Sequence, residues 1–562
     1  MNKKIDEKLT LTNHNNEFLF KKNISNLNIS FNRIAFIFFI FLITSLLFSI
    51  KIFYFGSLFN KKIIKGSVIK KDFRSDIIDR NGNIIAKSVI TSNIGINPKL
   101  VKDKKKLLLK LQIIFPNKNF YEIEKKLSKK KFFYLEKKMS PEKFDKVRLL
   151  GEKSLIPEQK ITRIYPQGNL FSHLVGQIDD NNNGISGLEK SFDEELKSNE
   201  EPIKLTLDTN IQFLIREELI KAQEIFKNIG STSILMNVNT GAIISMVSLP
   251  DFDLNKRERI NDLNYINRAT KGVYELGSVF KTFTFAAGLN EGEIEPQTPF
   301  IDLEKKIYCA GRPIGEYDDK IPTDLTAEQI LIRSGNIGSV RIGQKIGEEK
   351  FKNFLQNIGV LNKIKFDIEE VGQPISFRWG KCKLATASFG HGITTTPLQL
   401  AKGYSIITNG GYDIKPTLIK KDIRNITKKR KRFLKKGISK KVNLVLRKIV
   451  STEEGTAGFA NVDGYEVGGK TGTAQKTING VYSKKKINTF AGIFPTSKPN
   501  YILIVLLDEP KPNREYIYHY RDGRLPYKGN WRNTAGWTSV EIAGKIIERI
   551  GPILATKYVE FY

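Results

Sequence analysis

The stretch GSVFKTF (residues 277–283) sets a serine and a lysine three positions apart, directly after a glycine and at the front of the apolar run VFKTFTFAAGL. Positions i and i+3 share one face of a helix, so Lys281 would lie one turn after Ser278. A serine hydroxyl is a weak nucleophile, and a neutral lysine amine within reach could activate it. Burial and a neighbouring cation both favour the neutral amine. The same spacing also fits a helix cap followed by an exposed lysine.

Two further motifs follow in chain order. Ser334–Asn336 reads SGN and supplies a second hydroxyl together with an amide that both donates and accepts hydrogen bonds. Lys470–Thr473 reads KTGT within a strand-like run, and its lysine would bring a second cation to the same place. On an edge strand a glycine lets a substrate backbone lie close. An ordinary turn would also explain SGN, and a strand with a polar face would also explain KTGT, so no single motif identifies a site.

Composition narrows the classes of function that remain. A chain of 562 residues indicates more than one folded unit. The net charge of +33 is spread along the chain without interleaved aromatic residues, which argues against nucleic acid as a partner. It leaves a lysine-rich surface, an anionic membrane or an anionic polymer as explanations. The two cysteines, Cys309 and Cys382, form no CxxC motif, and whether they pair is open.

An apolar segment near the N-terminus predicts a membrane anchor. Residues 34–50 carry no charge, and the apolar run resumes after Lys51, so the segment reaches the roughly 20 residues that cross a bilayer. No convincing cleavage site follows, which favours an uncleaved anchor over a signal peptide. Basic residues flank both sides, so charge does not fix the orientation. We expect a cytoplasmic tail (1–33), an anchor (34–55) and a large domain outside.

The rest of the pattern predicts an α/β (α+β) fold. The segment IIDRNGNIIAKSV (77–89) indicates a hairpin around Asn81-Gly82. The lysine-rich residues 101–160 look helical, and LTLDTN (205–210) ends in a helix cap. Strands near 230–250 and 465–508, followed by a closing helix, predict a sheet packed between helices.

Three motifs in this order resemble the signature of the penicillin-binding protein and serine β-lactamase superfamily. RSDIIDRNGNIIA and GISGLEKSFDEEL are similar to the non-catalytic pedestal of class B penicillin-binding proteins, and SFGHGITTTPLQLAKGY is similar to their transpeptidase domain. NTAGWTSVEIAGKIIERIGPIL looks most like the cell-division members. The chain departs from the family pattern at Ser75, Leu276 and Gly335, where relatives often have glycine, proline and aspartate. The resemblance implies helices around an antiparallel sheet (209–562), preceded by an elongated α+β pedestal of the dimerisation type (56–208).

The resemblance also implies roles for individual residues. Ser278 would attack the penultimate carbonyl of a D-Ala-D-Ala stem peptide, Lys281 would accept its proton, and Ser334 would pass a proton to the leaving D-alanine. The N–H groups of Ser278 and Thr473 would form the oxyanion hole. No metal or cofactor is implied, and His391 is interpreted as structural. The residues expected to bind substrate are Asn336, Lys470, Thr471, Gly472 and Thr473.

The implied function is septal peptidoglycan D,D-transpeptidation through a serine acyl-enzyme, with β-lactams as inhibitors. The implied location is the bacterial inner membrane, with the N-terminus in the cytoplasm and the catalytic domain in the periplasm. The implied partners are stem peptides as donor and acceptor, the membrane, a membrane glycosyltransferase that polymerises lipid-linked precursor, and other division proteins. The open alternatives are an elongation-type transpeptidase, a D,D-carboxypeptidase or β-lactamase, a β-lactam sensor and an inactive scaffold.

Overall fold

A computed structural model describes most of the chain, namely residues 9–12, 17–20, 24–64, 73–256, 263–375, 379–380, 382–421, 430–478, 480–529 and 532–557. The chain divides into two units, Met1–Asp72 and Phe73–Tyr562. The first unit contains two paired strands, β1 (Leu9–Thr12) and β2 (Glu17–Phe20), and the helix α1 (Ile24–Ile64).

Helix α1 contains the predicted anchor. Among the described residues, Arg33–Tyr54 is the one helical segment long and apolar enough to cross a membrane. Its 22 residues would span about 33 Å as a helix, which matches a hydrocarbon core of about 30 Å. Its side chains are exposed, as expected for a segment whose surroundings are lipid.

The second unit combines two five-stranded sheets with the helices that cover them. Its strands are β3 (Ile77–Ile78), β4 (Ile84–Ile96), β5 (Phe133–Met139), β6 (Leu155–Ile164), β7 (Ile203–Lys204), β8 (Gly230–Asn237), β9 (Ile243–Leu249), β10 (Tyr274–Glu275), β11 (Pro299–Phe300), β12 (Lys306–Cys309), β13 (Arg312–Gly315), β14 (Leu325–Thr326), β15 (Thr394–Thr395), β16 (Gly468–Ile478), β17 (Val481–Phe494), β18 (Tyr501–Asp508), β19 (Ile517–Tyr518) and β20 (Tyr527–Lys528). Its helices are α2 (Lys104–Ile114), α3 (Phe120–Ser128), α4 (Pro141–Leu149), α5 (Ser172–Val175), α6 (Gly187–Ser191), α7 (Asp193–Ser198), α8 (Thr209–Phe226), α9 (Lys281–Glu291), α10 (Ala327–Ile332), α11 (Asn336–Ile346), α12 (Glu348–Asn357), α13 (Lys383–Ser388), α14 (Pro397–Thr408), α15 (Ile438–Ser451) and α16 (Ser539–Lys557).

The N-terminal sheet has the order β5-β4-β3-β7, with β6 also paired to β4. The hairpin predicted at Asn81-Gly82 is confirmed, because β3 and β4 flank it as antiparallel partners. The prediction of helix for residues 101–160 is correct for α2, α3 and α4 but wrong for β5 and most of β6. In β5, only Leu135 and Met139 are buried, and the charged residues between them hide the alternation typical of a strand.

A buried ionic cluster holds this sheet to the helices beside it. The carboxylate of Glu189 accepts from the Nε atoms of Arg74 at 2.8 Å and Arg163 at 2.7 Å, and these three side chains are buried. Arg74 also reaches Asp193 at 2.6 Å. Buried charges are tolerated when they are paired and hydrogen-bonded, and here each guanidinium shares the same carboxylate. The cluster therefore joins β6, α6, α7 and the segment before β3.

The larger sheet has the order β16-β17-β18-β8-β9 and is antiparallel throughout. Helices α8 and α16 pack on one face, and α14 and α15 pack on the other. Every residue of β9 and β18 is buried, as expected for strands covered on both faces. This arrangement confirms the predicted fold class. The cap predicted before α8 is also confirmed, because Asp208 accepts from the N–H groups of Asn210 and Ile211.

Cys309 and Cys382 form a disulfide, which answers the question that the sequence left open. Their Cα atoms lie 5.7 Å apart, although 73 positions separate them in sequence. Cys309 ends β12, and Cys382 directly precedes α13. The bond therefore links the β12–β13 hairpin to the start of α13, which is followed by the turn FGHG (389–392).

Candidate active site

Ser278, the serine of the Ser-x-x-Lys (SxxK) motif, lies in a short 3-10 turn, Gly277–Phe280, that leads directly into α9. Gly277, the first residue of this turn, has φ +64°, and a Cβ there would lie 2.8 Å from the carbonyl oxygen of Thr473. On the facing strand, a Cβ at Gly472 would lie 2.2 Å from the carbonyl oxygen of Leu276. Only glycine fits at either position, so Gly472 allows the strand to approach the protein's own turn. From the sequence, this glycine was expected to make room for the backbone of a substrate.

Lys281 is fully buried and points at the SGN turn. Its Nζ donates to Asn336 Oδ1 at 2.6 Å, to the carbonyl oxygen of Ser334 at 2.5 Å and to Ser334 Oγ at 3.3 Å. Burial lowers the pKa of Lys281 to about 7, against an opposing effect of Glu316. Among the described residues, no hydrogen bond joins Ser278 Oγ to Lys281 Nζ. The amine therefore lies one turn after the serine, as the spacing predicted, but its hydrogen bonds go to the next motif.

Ser334 brings the two lysines of the site together. Its Oγ accepts from Lys470 Nζ at 2.9 Å and also from the Lys281 amine. Lys470 is also fully buried, and burial followed by repulsion from Lys281 holds its pKa well below the ordinary value. Ser334 itself has φ +62°, a left-handed conformation that is uncommon for serine. One hydroxyl thus accepts hydrogen bonds from two amines whose pKa values are both lowered.

Asn336 begins α11 and is held from several directions. Its Nδ2 donates to the carbonyl oxygen of Gly315 at 2.8 Å, and its backbone N–H donates to Glu316 Oε2 at 2.7 Å. Glu316 Oε1 accepts from the N–H of Ile337 at 2.9 Å. Glu316 was not predicted, because it lies 20 residues before Asn336 in sequence and belongs to no motif.

The KTGT motif lies on β16, the edge strand of the large sheet, as the sequence predicted. Thr471 Oγ1 lies 2.8 Å from Thr456 Oγ1. Thr473 Oγ1 accepts from the N–H of Ala535 at 2.9 Å. Both hydroxyls are thus held by fixed neighbours while their residues line the groove in front of the serine.

An open groove of about 1180 Å³ runs along this strand. Besides the motif residues Ser278, Ser334, Asn336, Thr471 and Thr473, its walls include Phe389, His391, Phe459, Gln475, Tyr520, Arg524, Arg532 and Trp537. Tyr520 and Arg524 lie between β19 and β20 in sequence, so this segment forms part of the groove wall. Among the described residues, no group of three His, Cys, Asp or Glu side chains could hold a metal ion.

His391 lines the groove next to a cluster that the sequence did not reveal. Its ring lies 4.5 Å from the ring of Tyr482, whose hydroxyl lies 3.2 Å from the carboxylate of Glu275. Burial lowers the pKa of His391, which favours its neutral form. The aromatic contact with Tyr482 agrees with a packing role, while the position on the wall leaves the ring accessible to a ligand.

Comparison with known proteins assigns both parts of the second unit. The penicillin-binding protein transpeptidase domain matches residues 231–523, and the penicillin-binding protein dimerisation domain matches residues 71–224. The probable peptidoglycan D,D-transpeptidase FtsI of Caulobacter vibrioides is 30% identical, over 86% of this chain and 82% of the relative. The peptidoglycan D,D-transpeptidase FtsI of Buchnera aphidicola is 29% identical, over 88% and 94% respectively.

The fold also matches a solved structure. A peptidoglycan synthetase from Bifidobacterium adolescentis superimposes with a TM-score of 0.64 at 19% identity, covering 86% of this chain and 96% of that chain. The matched transpeptidase domain contains all three motifs of the site, and the dimerisation domain precedes it as the resemblance implied. The chain therefore belongs to the class B penicillin-binding proteins, a family of serine-type peptidoglycan D,D-transpeptidases.

Proposed function

We propose that this chain is a septal peptidoglycan D,D-transpeptidase that cross-links stem peptides through an acyl-enzyme on Ser278. The observation that carries the proposal is the hydroxyl of Ser334, which lies between two buried lysine amines beside the SxxK turn. The similarity to FtsI proteins supports the septal role. The site residues are those of the three motifs.

In the first half of the reaction, the Ser278 hydroxyl attacks the penultimate carbonyl of the D-Ala-D-Ala end. Its proton passes to Lys281, which is partly neutral at neutral pH because its pKa is about 7. Ser334 hands a proton to the nitrogen of the leaving D-alanine, drawing on the amines on either side of it. The carbonyl–nitrogen bond breaks, and an ester to Ser278 remains.

The KTGT strand would bind the substrate at its charged end. The terminal carboxylate is held by Lys470 and by the hydroxyls of Thr471 and Thr473, because a cation and two donors suit an anion. Arrival of the carboxylate favours the protonated form of Lys470, which burial otherwise disfavours. The N–H groups of Ser278 and Thr473 would stabilise the oxyanion, and Asn336 would bind the peptide backbone.

In the second half, an amine of a neighbouring stem peptide attacks the ester and displaces Ser278. The attacking amine loses a proton to the lysine pair, which passes a proton to Ser278 Oγ as the ester bond breaks, and the new amide is the cross-link. A β-lactam would acylate the same serine because its strained amide resembles the substrate.

The proposed location is the inner membrane, with a cytoplasmic tail (1–33), an anchor (34–55), a non-catalytic pedestal (56–208) and a periplasmic catalytic domain (209–562). The apolar helix supports an anchor, and the disulfide supports the orientation because such bonds persist in oxidising compartments. A membrane glycosyltransferase that supplies glycan strands and other division proteins would be its partners.

Two assays test the proposal. Purified protein is incubated with donor and acceptor stem peptides, and the products are separated by mass. Cross-linked dimers support transpeptidation, whereas peptides trimmed by one D-alanine would indicate a carboxypeptidase. Depletion in cells tests the septal role, since filaments indicate division and rounded cells indicate elongation.

A further inference from the structure

Helix α11 begins in the middle of the active site without a cap of its own. Its N-cap residue is Gly335, which has no side chain to accept a hydrogen bond. The first N–H groups of a helix have no partner within it and must be satisfied from outside. Glu316 does this, since its two carboxylate oxygens accept from the N–H groups of Asn336 and Ile337. A carboxylate at a helix N-terminus is also favoured by the helix dipole.

The residues on either side of Glu316 hold the same turn. The carbonyl oxygen of Gly315 accepts from the Asn336 side chain at 2.8 Å, and the hydroxyl of Tyr317 donates to the carbonyl oxygen of Arg333 at 3.0 Å. Three consecutive residues, Gly315–Tyr317, therefore contact the chain before and after Ser334. We call this segment the GEY clamp.

Ser334 needs such a clamp because its backbone is strained. Ser334 has a positive φ, and a non-glycine residue keeps this conformation only where its surroundings fix it. The clamp extends from the β12–β13 hairpin, whose first strand ends at Cys309 in the disulfide to Cys382. The disulfide thus holds one end of the hairpin, and the GEY clamp at the other end contacts the SGN turn.

The Glu316 carboxylate also acts on the buried amine of Lys281. Its negative charge raises the pKa of Lys281, against the lowering by burial. Lys281 in turn lowers the pKa of Lys470. Glu316, Lys281 and Lys470 are the charged groups through which these two pKa values are coupled.

We propose that Glu316 is a positioning residue of the acyl-transfer site, which binds the N-terminus of α11 and so fixes Ser334 and Asn336 beside Ser278. The inference rests on the proposed function and adds a residue that lies outside all three motifs. It assigns to Glu316 both a geometric effect on the SGN turn and an electrostatic effect on the lysine that faces it.

The test measures the rate of acylation of the full chain by a fluorescent penicillin as a function of pH. Glu316→Ala removes both acceptors, and we expect the rate to fall about 10²-fold, the cost of misplacing reacting groups by about 1 Å. Glu316→Gln keeps one acceptor oxygen but loses the charge, and we expect a loss of roughly tenfold, equivalent to one hydrogen bond. In the Gln variant the acid limb of the profile should move to lower pH, because the group that raises the Lys281 pKa is gone.

Glu304→Gln is the matched control, because Glu304 also binds α11 but does so through Arg341 on the exposed surface. Its rate and pH profile should equal those of the wild type. Thermal unfolding of each variant separates misfolding from mispositioning. A wild-type protein that takes no label would contradict the proposed function itself. A labelled wild type with an unmoved acid limb in Glu316→Gln, whether or not the rate falls, would overturn the inference.

Discussion

At the scale of single residues, the proposed chemistry depends on two buried amines that donate to one hydroxyl, with Lys281 as the neutral base and Lys470 as the cation that binds the carboxylate. Lys281 and Lys470 are buried, which lowers the pKa of both amines, and the charge of Lys281 lowers the pKa of Lys470 further. Ser334 Oγ lies between them and can exchange protons with either amine. The proposed reaction needs this arrangement because one proton must leave the nucleophile and another must reach the leaving nitrogen.

The pKa of Lys281 predicts how the reaction depends on pH. The base works only as the neutral amine, so acylation should slow as the pH falls through about 7 and Lys281 takes up a proton. Lys281→Arg keeps a permanent charge and should slow acylation by about 10²–10⁴-fold. Stopped-flow labelling with a fluorescent penicillin measures both effects. Lys350→Arg, at an exposed pair with Glu293, is the control, and a rate independent of pH would contradict the role of Lys281.

The motif residues were predicted from the order of the motifs and their resemblance to a known family, and the structure brings Lys281, Ser334 and Lys470 into contact. It could not reveal where the Lys281 amine points, since that depends on the SGN turn 53 positions away. Nor could it reveal Glu316, whose carboxylate reaches α11 from a hairpin with no periodic relation to it. Contacts between distant loops leave no local pattern.

At the scale of elements, the β12–β13 hairpin links the disulfide to the catalytic turn. The hairpin packs few buried side chains, with Ile314 the one residue of its strands in the core. Its position therefore depends on its bonds to neighbours, namely the disulfide at Cys309 and the GEY clamp.

Loss of the disulfide should affect both stability and activity. The double variant Cys309→Ser/Cys382→Ser should lower the free energy of unfolding by about 2–4 kcal/mol, because the closed loop is released. It should also slow acylation, because the hairpin that carries Glu316 becomes less constrained. Chemical denaturation and penicillin labelling measure the two effects. Acylation at the wild-type rate in the reduced protein would show that the hairpin holds its place without the bond.

Prediction of elements succeeded where local signals are strong. The Asn81-Gly82 turn, the Asp208 cap and the buried strands β8, β9 and β18 all follow from residues adjacent in sequence. Strand β5 was missed because Glu136, Lys137 and Lys138 resemble the solvated face of a helix. Strand β6 was missed because five consecutive exposed residues, 156–160, interrupt the alternation typical of a strand. The disulfide was left open because pairing depends on the distance in space.

At the scale of the whole molecule, the second unit contains an N-terminal sheet and a catalytic sheet, which are stabilised in different ways. The catalytic sheet is buried on both faces, whereas the N-terminal region depends on a small apolar core and on the buried Arg74–Glu189–Arg163 cluster. The order of the two parts followed from the sequence, because motifs characteristic of each occur in turn.

The ionic cluster predicts a severe effect from a single neutral substitution. Glu189→Gln leaves two buried guanidinium groups without their shared counter-charge and should lower the free energy of unfolding by about 3–5 kcal/mol. Glu194→Gln, an exposed change of the same kind on a neighbouring helix, should stay within about 0.5 kcal/mol of the wild type. Urea unfolding followed by circular dichroism provides the comparison. Equal stability of the two variants would mean that the cluster does not hold the pedestal together.

The most direct measurement is the mass of the intact protein after reaction with a penicillin, followed by mapping of the modified peptide. We predict one adduct per chain, carried by Ser278, and no adduct on the Ser278→Ala variant. A folded wild-type protein that stays unmodified, or that carries the adduct on another side chain, would contradict the account.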